Sequence, residues 1–494
     1  MGAMVIARPP LAASRAKAAP RPHRETPSHW GFPEWFIIGQ MLLPALLYLP
    51  GSNAFRLPIR IAPFAISLLG FLYLPVKSAA RSHAQQRGNE GGGHPARRWL
   101  IWAIAYLVMM IFHPSTNTLL AGAAQVMLYV CVMAPLFWVP SLVRDSRHLV
   151  RLLSILLVCN GINAAVGILQ VYDPDRWMPA EISKVVMESY DINSLSYTRS
   201  DGKLIIRPPG LSDSPGAVCG PSFVAALLGL SFCVTPISVW KKGLCLAFGL
   251  AGITAIYLSL VRTSLLIVAG SLLIYLGTLV LQNNLRKAAL FLVLISTIAF
   301  VSFSGAVLLG GESIVKRFET LIEDDPITVY YSAGRGGQLQ GAFTNYLVDY
   351  PLGAGLGRWG MMRYYFGNPW SRQSSALWAE LQLPAWILDG GIILTVLYCF
   401  ALLATAGYEY RLARSPGHYG LRSWAAIIFA INGGTLGLIF GFTPFTTQIG
   451  MQYWFLAGAL AGAARAEIAA RRPATSDQMS EVKDQRSEIR QEVA

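Results

Sequence analysis

Long apolar stretches separated by short polar segments fill most of the chain. An apolar run of about 20 residues is long enough to cross a bilayer as a helix. We predict such helices at 32–50, 58–76, 99–113, 119–143, 149–172, 216–238, 244–260, 263–282, 288–309, 384–406, 423–442 and 450–468. The pattern therefore predicts an all-α polytopic membrane protein with about 12 transmembrane helices.

The composition supports this class and excludes others. Of the 494 residues, 54% are hydrophobic and 13% are charged, whereas soluble domains carry about 25% charged residues. The six cysteines lie in or beside apolar stretches without the paired spacing of a metal site, so we interpret them as packing residues. No metal-binding pattern of His, Cys and acidic residues and no nucleotide-binding motif occurs in the sequence.

Basic residues set the predicted orientation. With the N-terminus inside, the inner segments hold most of the 40 Lys and Arg residues, and the short outer turns hold Arg56, Arg60 and Arg262. Positive charge retained inside predicts that both termini are cytoplasmic, and it explains the net charge of +14 without nucleic acid as a partner. We predict disordered cytoplasmic tails at 1–31 and 471–494, around one membrane domain at 32–470.

Two hydrophilic segments on the predicted outer side, 173–215 and 310–383, are much longer than the other connections. Long loops of this kind are often functional. They carry Arg176, Arg199, Arg207, Arg317, Arg335, Arg358, Arg363 and Arg372. A guanidinium group stays charged and binds phosphate oxygens in pairs. We therefore predict that the outer side binds an anionic ligand.

Two short motifs indicate what this ligand is. Residues 260–266 (LVRTSLL) form a turn between two apolar stretches, and Gly334-Arg335 is followed by residues 351–357 (PLGAGLG). Together with the predicted helices and long outer loops, these motifs resemble those of the O-antigen ligase and O-antigen polymerase superfamily, over about residues 150–400.

The resemblance implies glycosyl transfer, independent of metals and cofactors, at the periplasmic face of the bacterial inner membrane. The donor would be a glycan on undecaprenyl diphosphate. The acceptor would be a hydroxyl of another lipid-linked glycan in a polymerase, or of lipid A core in a ligase. Partners would include the bilayer and a chain-length regulator or other envelope assembly proteins.

One departure from the family pattern bears on this choice. Ligases of the superfamily carry a His about a dozen residues before a Gly that opens the next span, and Glu380 holds that place before Gly391. No His occurs between His148 and His418. We therefore expect an O-antigen or exopolysaccharide polymerase rather than a ligase.

Transfer from a sugar diphosphate requires cations that stabilise the leaving group and a base for the acceptor hydroxyl. Arg262, in a turn near membrane depth, and Arg335, flanked by glycines, are predicted to be catalytic. The predicted diphosphate-binding residues are Arg207, Arg199, Arg358 and Arg363. The structural alternative for Arg262 is snorkelling. For Arg207 and Arg199 it is loop solubility or pairing with Asp201 or Asp213, and for Arg335 it is an ion pair with Glu323, Asp324 or Asp325.

We predict Glu380 as the general base, in a direct displacement that inverts the anomeric centre. Its structural alternative is an ion pair with an arginine, and the second choices of base are Asp349, Asp213 and His113. An aromatic set in the second outer segment is predicted to stack on sugars or to form an interfacial belt; it comprises Trp359, Tyr364, Tyr365, Phe366 and Trp370.

Two other classes of function stay open. A transporter of a small anion or of the lipid-linked glycan fits the number of spans, and Asn160, Asn163 and Asn432 lie within predicted helices. A scaffold for envelope assembly would use the outer segments for docking. The enzyme hypothesis requires Arg207, Arg262 and Arg335 to converge on one outer cavity, whereas a transporter requires a polar path through the midplane.

Overall fold

The structure, a computed structural model, describes residues 30–49, 51–82, 93–179, 182, 195–199, 201–323, 331, 334–368, 370–371, 375–415 and 419–471. Apart from short 3-10 and π turns, its elements are α1 Phe32–Leu42, α2 Arg56–Ser82, α3 Arg97–Met110, α4 Leu119–Met133, α5 Pro135–Leu142, α6 Ser146–Tyr172, α7 Pro174–Trp177, β1 Ser196–Thr198, β2 Leu204–Ile206, α8 Cys219–Cys233, α9 Val239–Leu258, α10 Arg262–Leu281, α11 Leu285–Gly310, α12 Glu312–Glu323, α13 Arg335–Gly341, α14 Leu347–Asp349, α15 Gly360–Phe366, α16 Gln382–Arg414, α17 Tyr419–Gly437 and α18 Gln448–Arg471. Nearly all of the predicted tails at 1–31 and 471–494 lies outside the described residues, as does Arg372 of the second outer segment.

A helix lies at each of the twelve predicted positions. Within the described ranges, eight helical segments are long and apolar enough to cross a membrane, and Phe32–Tyr48 and Cys219–Cys233 are apolar but shorter. The chain is therefore a multi-pass, all-α membrane protein. The number of twelve spans and the orientation stay predictions.

The predicted stretch 119–143 is confirmed as one apolar span, Leu119–Leu142, although Pro135 has no N–H and divides it into α4 and α5 at Ala134. One predicted boundary is wrong for an identifiable reason. The helix predicted to end at 406 continues to Arg414. The charged residue Glu409 suggests a loop in the sequence, but it is buried inside the protein as part of the helix.

Both long outer segments contain local structure and contact each other. In the first, β1 and β2 form an antiparallel hairpin with Ser196 opposite Ile206. The second contains α12 to α15. The hydroxyl of Ser313, on α12, donates to the carbonyl of Thr198 in the hairpin at 2.5 Å. Segments that are more than 100 residues apart in sequence thus meet on one side of the protein.

Close packing of α8 against α9 supports that side of the molecule. A Cβ atom on Gly229 would lie 2.5 Å from the carbonyl oxygen of Cys245, and one on Gly252 would lie 2.6 Å from the carbonyl oxygen of Ser222. Small residues let two membrane helices approach at backbone distance. This contact fixes the start of α8 relative to the end of α9.

Candidate functional site

The predicted catalytic residue Arg262 lies in a tight turn between two helices. Helix α9 ends at Leu258 and α10 begins at Arg262. Between them Leu260 adopts a left-handed conformation with a φ of +55°, which persists only where the surrounding structure holds it. The Ser259 hydroxyl donates to the carbonyl of Ile256 at 2.7 Å and so braces the turn.

Two arginines from the second outer segment reach this turn. Nε of Arg317, on α12, donates to the carbonyl of Leu260 at 3.3 Å. Nη1 of Arg335, the first residue of α13, donates to the hydroxyl of Thr263 at 3.1 Å. Two residues that lie far along the chain from Arg262 thus meet at the start of α10.

Arg207, from the first outer segment, completes what we call the arginine cluster: Arg207, Arg262, Arg317 and Arg335. Burial and the nearby guanidinium groups of Arg335 and Arg262 lower the pKa of Arg207. Burial, followed by the charges of Arg262, Arg207 and Arg335, lowers the pKa of Arg317 to about 10. The charges of Arg262 and Arg335 thus act on both Arg207 and Arg317, so the cluster is an electropositive centre.

The structure thus brings together three predicted residues, Arg207, Arg262 and Arg335. It adds Arg317, which is not among the predicted site residues although it lies in a predicted outer segment. The only sequence signal for Arg317 is its place on a short amphipathic helix directly after an apolar stretch. An amphipathic pattern predicts which face of the helix is polar, but it does not predict which residues that face contacts.

Backbone contacts hold Arg207 in position. Its N–H donates to the carbonyl of Leu195 at 2.9 Å, and its carbonyl accepts from the N–H of Gly216 at 3.2 Å. Among the described residues its Nε atom is buried without a hydrogen-bond partner. A buried donor of a charged group is costly to leave unsatisfied, and a bound anion would satisfy it.

The loop after Arg207 is clamped by buried amides within the helices. Gln170 donates to the carbonyl of Gly210 at 2.7 Å and accepts from its N–H at 2.9 Å. Oδ1 of Asn163 accepts from the N–H of Leu211 at 3.1 Å. The amide of Asn160 donates to the carbonyl of Leu156 in its own helix. Asn163 and Gln170 thus hold local structure, whereas Oδ1 of Asn160 is buried without a hydrogen-bond partner among the described residues.

A cavity of about 530 Å³ lies beside the cluster, between the starts of α2, α8 and α10 and the segment before α18. Its polar lining includes Arg60, Asp213, Ser264 and Arg335, and its apolar lining includes Phe64, Phe223, Ile267 and Ile449. The cavity therefore offers both charged and apolar side chains to the same ligand.

Asp213 organises the charged lining of this cavity. Its carboxylate is 2.6 Å from Nη2 of Arg60 and 3.3 Å from Nε of Arg56, and the other arm of Arg60 donates to the hydroxyl of Tyr365 at 3.3 Å. Asp201 pairs instead with Arg199. Neither of the two aspartates considered as ion-pair partners for Arg207 is therefore paired with it.

Arg335 lacks a carboxylate within ion-pair distance among the residues that the structure describes. Its alternative partners Asp324 and Asp325 lie outside those residues, as does the side chain of Glu323. Its observed partner is the neutral hydroxyl of Thr263. This position is compatible with the predicted binding of an anion.

Arg199 and Arg358 lie elsewhere and use their donors locally. Arg199 donates to the carbonyls of Val171 and Tyr172, at 2.8 and 2.9 Å, and pairs with Asp201, which raises its pKa. Arg358 is buried, and its guanidinium group donates to the carbonyls of Ala354 and Ser375 within its own segment. The structure thus places these two of the four predicted diphosphate-binding residues outside the arginine cluster.

Arg363 and His113 both lie near Arg358. Arg363 lies on α15, and burial followed by the charge of Arg358 lowers its pKa. The same two causes lower the pKa of His113, whose Nδ1 accepts from the N–H of Ser115 at 3.3 Å. His113 thus makes a hydrogen bond just beyond the end of its helix.

The glycine-rich motif 351–357 is a packing device. Gly355 has a φ of +90°, and a Cβ atom there would lie 2.6 Å from the backbone of Ser115. The N–H of Ala354 donates to the carbonyl of Leu388 at 2.7 Å, and that of Asn117 donates to the carbonyl of Leu356 at 3.0 Å. The motif thereby locks the second outer segment onto α16 and onto the loop before α4.

Asp389 anchors this packing from inside α16 and is not a predicted site residue. Its carboxylate is fully buried and accepts from Gln125 at 3.1 Å, from Tyr129 at 2.7 Å and from the indole of Trp359 at 2.8 Å. Trp359 is therefore a structural residue, and the prediction that it stacks on a sugar or joins an interfacial belt is wrong. Trp370 and Tyr364, from the same aromatic set, are exposed.

Glu380 is half-buried on the segment that precedes α16 and is not among the residues that line the cavity. Of the second choices of base, Asp213 lines the cavity and Asp349 is exposed at the end of α14. Among the described residues, no group of three or more His, Cys, Asp and Glu side chains is arranged to hold a metal ion.

The chain matches no protein-family model and no curated protein. The resemblance to the ligase and polymerase superfamily therefore stands on its motifs alone, and the function has to be argued from the arginine cluster and its cavity.

Proposed function

We propose that this protein is a lipid-linked glycan polymerase of the bacterial inner membrane, with the arginine cluster on the periplasmic side. The observation that carries the proposal is the convergence of Arg207, Arg317 and Arg335 on the first turn of α10, where Arg262 lies. The enzyme hypothesis requires such a convergence at one end of the membrane domain.

The cluster and cavity together suit a diphosphate that carries a lipid. Guanidinium groups bind phosphate oxygens bidentately and stay charged. Fixed cations in a poorly solvated site also stabilise the charge that develops as a diphosphate leaves. The apolar lining of the cavity provides a surface for the hydrocarbon next to the headgroup.

In the proposed step, the acceptor hydroxyl oxygen attacks the anomeric carbon of the donor sugar. The bond from that carbon to the phosphate oxygen breaks, and undecaprenyl diphosphate leaves with the electron pair. The hydroxyl proton passes to a carboxylate, and the anomeric centre inverts. We assign that base to Glu380, with Asp213 as the alternative because Asp213 lines the cavity.

The test is the length of the surface polymer on gels of a deletion strain complemented with each variant at matched membrane levels. Arg262→Ala, Arg335→Ala and Glu380→Gln should leave single repeats where the wild type gives long polymer. Lys203→Ala is the control, because Lys203 is a half-exposed cation of the first outer segment that pairs with Asp175. Asp213→Asn distinguishes the two candidate bases.

Other outcomes of this test overturn parts of the proposal. If the arginine and Glu380 variants all match the wild type, the assignment of the site fails. If the deletion leaves long polymer on the lipid carrier but none on lipid A core, the protein is a ligase. If the deletion leaves every surface glycan unchanged, the transporter hypothesis replaces the enzyme.

A further inference from the structure

A second buried polar group lies near the far end of α16. The side chain of Glu409 is fully buried, and its Oε1 accepts from the amide of Asn432, on α17, at 2.6 Å. Its Oε2 is buried without a hydrogen-bond partner, and no basic side chain lies within ion-pair distance among the described residues. A carboxylate in this state is costly to bury inside a membrane protein.

Polar side chains from three helices lie near Glu409. Thr405 lies one helical turn earlier on α16 and so shares a face with Glu409. Oδ1 of Asn432 is buried without a hydrogen-bond partner among the described residues. The hydroxyl of Tyr453, on α18, lies beside Thr405 and near Glu409. Three helices therefore place oxygen atoms near this carboxylate, and such atoms are the ligands that hard cations prefer.

Asp389 on the same helix shows what a satisfied buried carboxylate looks like in this protein. Its two oxygens accept from Gln125, Tyr129 and Trp359. Glu409 has one such donor and one oxygen without any. The difference between the two carboxylates therefore indicates that Oε2 of Glu409 binds a proton donor or a cation that is not part of the chain.

Charged and titratable residues lie around this end of the protein without pairing with Glu409. The ring of His94 contacts that of Tyr408 at 4.9 Å between centroids. Other charged residues on the neighbouring helices include Arg97, Arg411, Arg414, Arg422, Arg465 and Glu467, and the titratable side chains of Tyr408 and Tyr453 lie near Glu409. Arg422 and Arg465 donate to the backbone carbonyls of Ala413 and Pro140, respectively.

We propose that Glu409, Asn432 and Tyr453 form a binding site for a monovalent cation, a proton or Na⁺, that neutralises the buried carboxylate. Helix α16 begins where the second outer segment ends, so Glu409 lies roughly 40 Å from that segment along the helix. The site shares no residue with the arginine cluster and does not depend on the proposed glycosyl transfer.

Carbodiimide labelling tests this proposal on the purified full chain in detergent. Carbodiimides react with protonated carboxyl groups in apolar surroundings, and peptide mass spectrometry locates the label. Label at Glu409 should fall as the pH rises and the carboxyl group loses its proton, by up to tenfold for each pH unit above half-titration. If Na⁺ is the ligand, about 0.1 M NaCl at fixed pH should protect Glu409, whereas choline chloride at equal ionic strength should not.

Thermal unfolding of wild type and Glu409→Gln gives a second readout. A site occupied by a proton makes the wild type lose stability as pH rises, and a site occupied by Na⁺ makes it gain stability with NaCl. Glu409→Gln should lose that dependence, and the control Gly407→Ala on the same helix, where a Cβ atom meets nothing within 4 Å, should keep it. The difference between wild type and Glu409→Gln cancels the titration of His94, which both proteins share.

Either a cation-dependent label at Glu409 or the loss of cation-dependent stability in Glu409→Gln supports the site. If Glu409 stays unlabelled at every pH, and both proteins respond alike to pH and NaCl, the proposal is overturned. Should Glu409→Gln fail to fold, the labelling of the wild type decides the question by itself. Neither measurement uses a glycan donor, so the outcome is independent of the test of the proposed function.

Discussion

The carbonyl oxygen of Pro351 lies 2.1 Å from the position that a Cβ atom on Gly391 would occupy. The same carbonyl accepts a hydrogen bond from the N–H of Ile392 at 2.9 Å. Helix α16 kinks at Gly390 and Gly391, where the backbone leaves helical geometry. The kink thus allows the backbone of the glycine-rich motif 351–357 to pack directly against the backbone of α16.

We predict that Gly391→Ala lowers the free energy of unfolding by roughly 3 kcal/mol, because of strain and steric clash. Gly391 has a φ of +59°, which a side chain disfavours, and the added methyl group meets backbone that cannot move aside. The control is Gly407→Ala on the same helix, where a Cβ atom meets nothing within 4 Å. Denaturant unfolding in mixed micelles compares the stabilities of Gly391→Ala and Gly407→Ala. Equal stabilities would contradict close packing of the motif against Gly391.

We predict that Arg317→Ala lowers the rate of polymer formation by roughly 10²-fold, because a preorganised cation is lost from the leaving-group site. The rate of polymer formation by Arg317→Lys should lie between those of the wild type and Arg317→Ala, since lysine keeps the charge without the planar guanidinium group. Lys316→Ala is the matched control, since Lys316 is an exposed neighbour on α12 that pairs with Glu312. Polymer length and turnover at matched membrane levels are the measurements, and equal loss in both alanine variants would contradict a specific role.

We predict that Asp213→Ala lowers the free energy of unfolding by about 3 kcal/mol, because it leaves two partly buried arginines without their carboxylate. The carboxylate of Asp213 is nearly inaccessible and lies 2.6 Å from Arg60. A double-mutant cycle with Arg60→Ala should give a coupling of about 1–3 kcal/mol. Additive effects in this cycle would show that the pair contributes nothing beyond its separate residues.

His94 is predicted to make the protein less stable in acid. Burial, followed by the charge of Arg97, lowers the pKa of His94 to about 3. Its Nδ1 accepts from the N–H of Ala96 at 3.2 Å, which requires an unprotonated nitrogen. The folded state therefore binds fewer protons than the unfolded state, whose pKa is about 6.5. Stability is present above that value and is lost as pH falls below it.

The expected loss between about pH 7 and about pH 5 is about 2 kcal/mol. His94→Gln should flatten this part of the stability curve, because glutamine does not titrate. The measurement is the denaturation midpoint of both proteins across this range of pH. An unchanged slope in His94→Gln would mean that other groups set the acid sensitivity.

The apolar pattern of the sequence determined the architecture. Runs long enough to span a bilayer must form helices, because backbone groups in lipid have no other hydrogen-bond partners. The place of Arg262 between two such runs was equally plain, since the turn is local in sequence. These features depend on near neighbours in the chain, which a single sequence displays directly.

Which arginines meet was decided only by the tertiary structure. Arg317 joined the cluster and Arg199 and Arg358 did not, although all three lie in the same two outer segments. The choice depends on how the hairpin and α12 fold over the start of α10, through contacts between residues far apart in sequence. The same holds for Glu409, since a sequence does not show whether a buried carboxylate finds its donors. Side-chain pairing across helices is a property of packing, and packing is set by the whole chain at once.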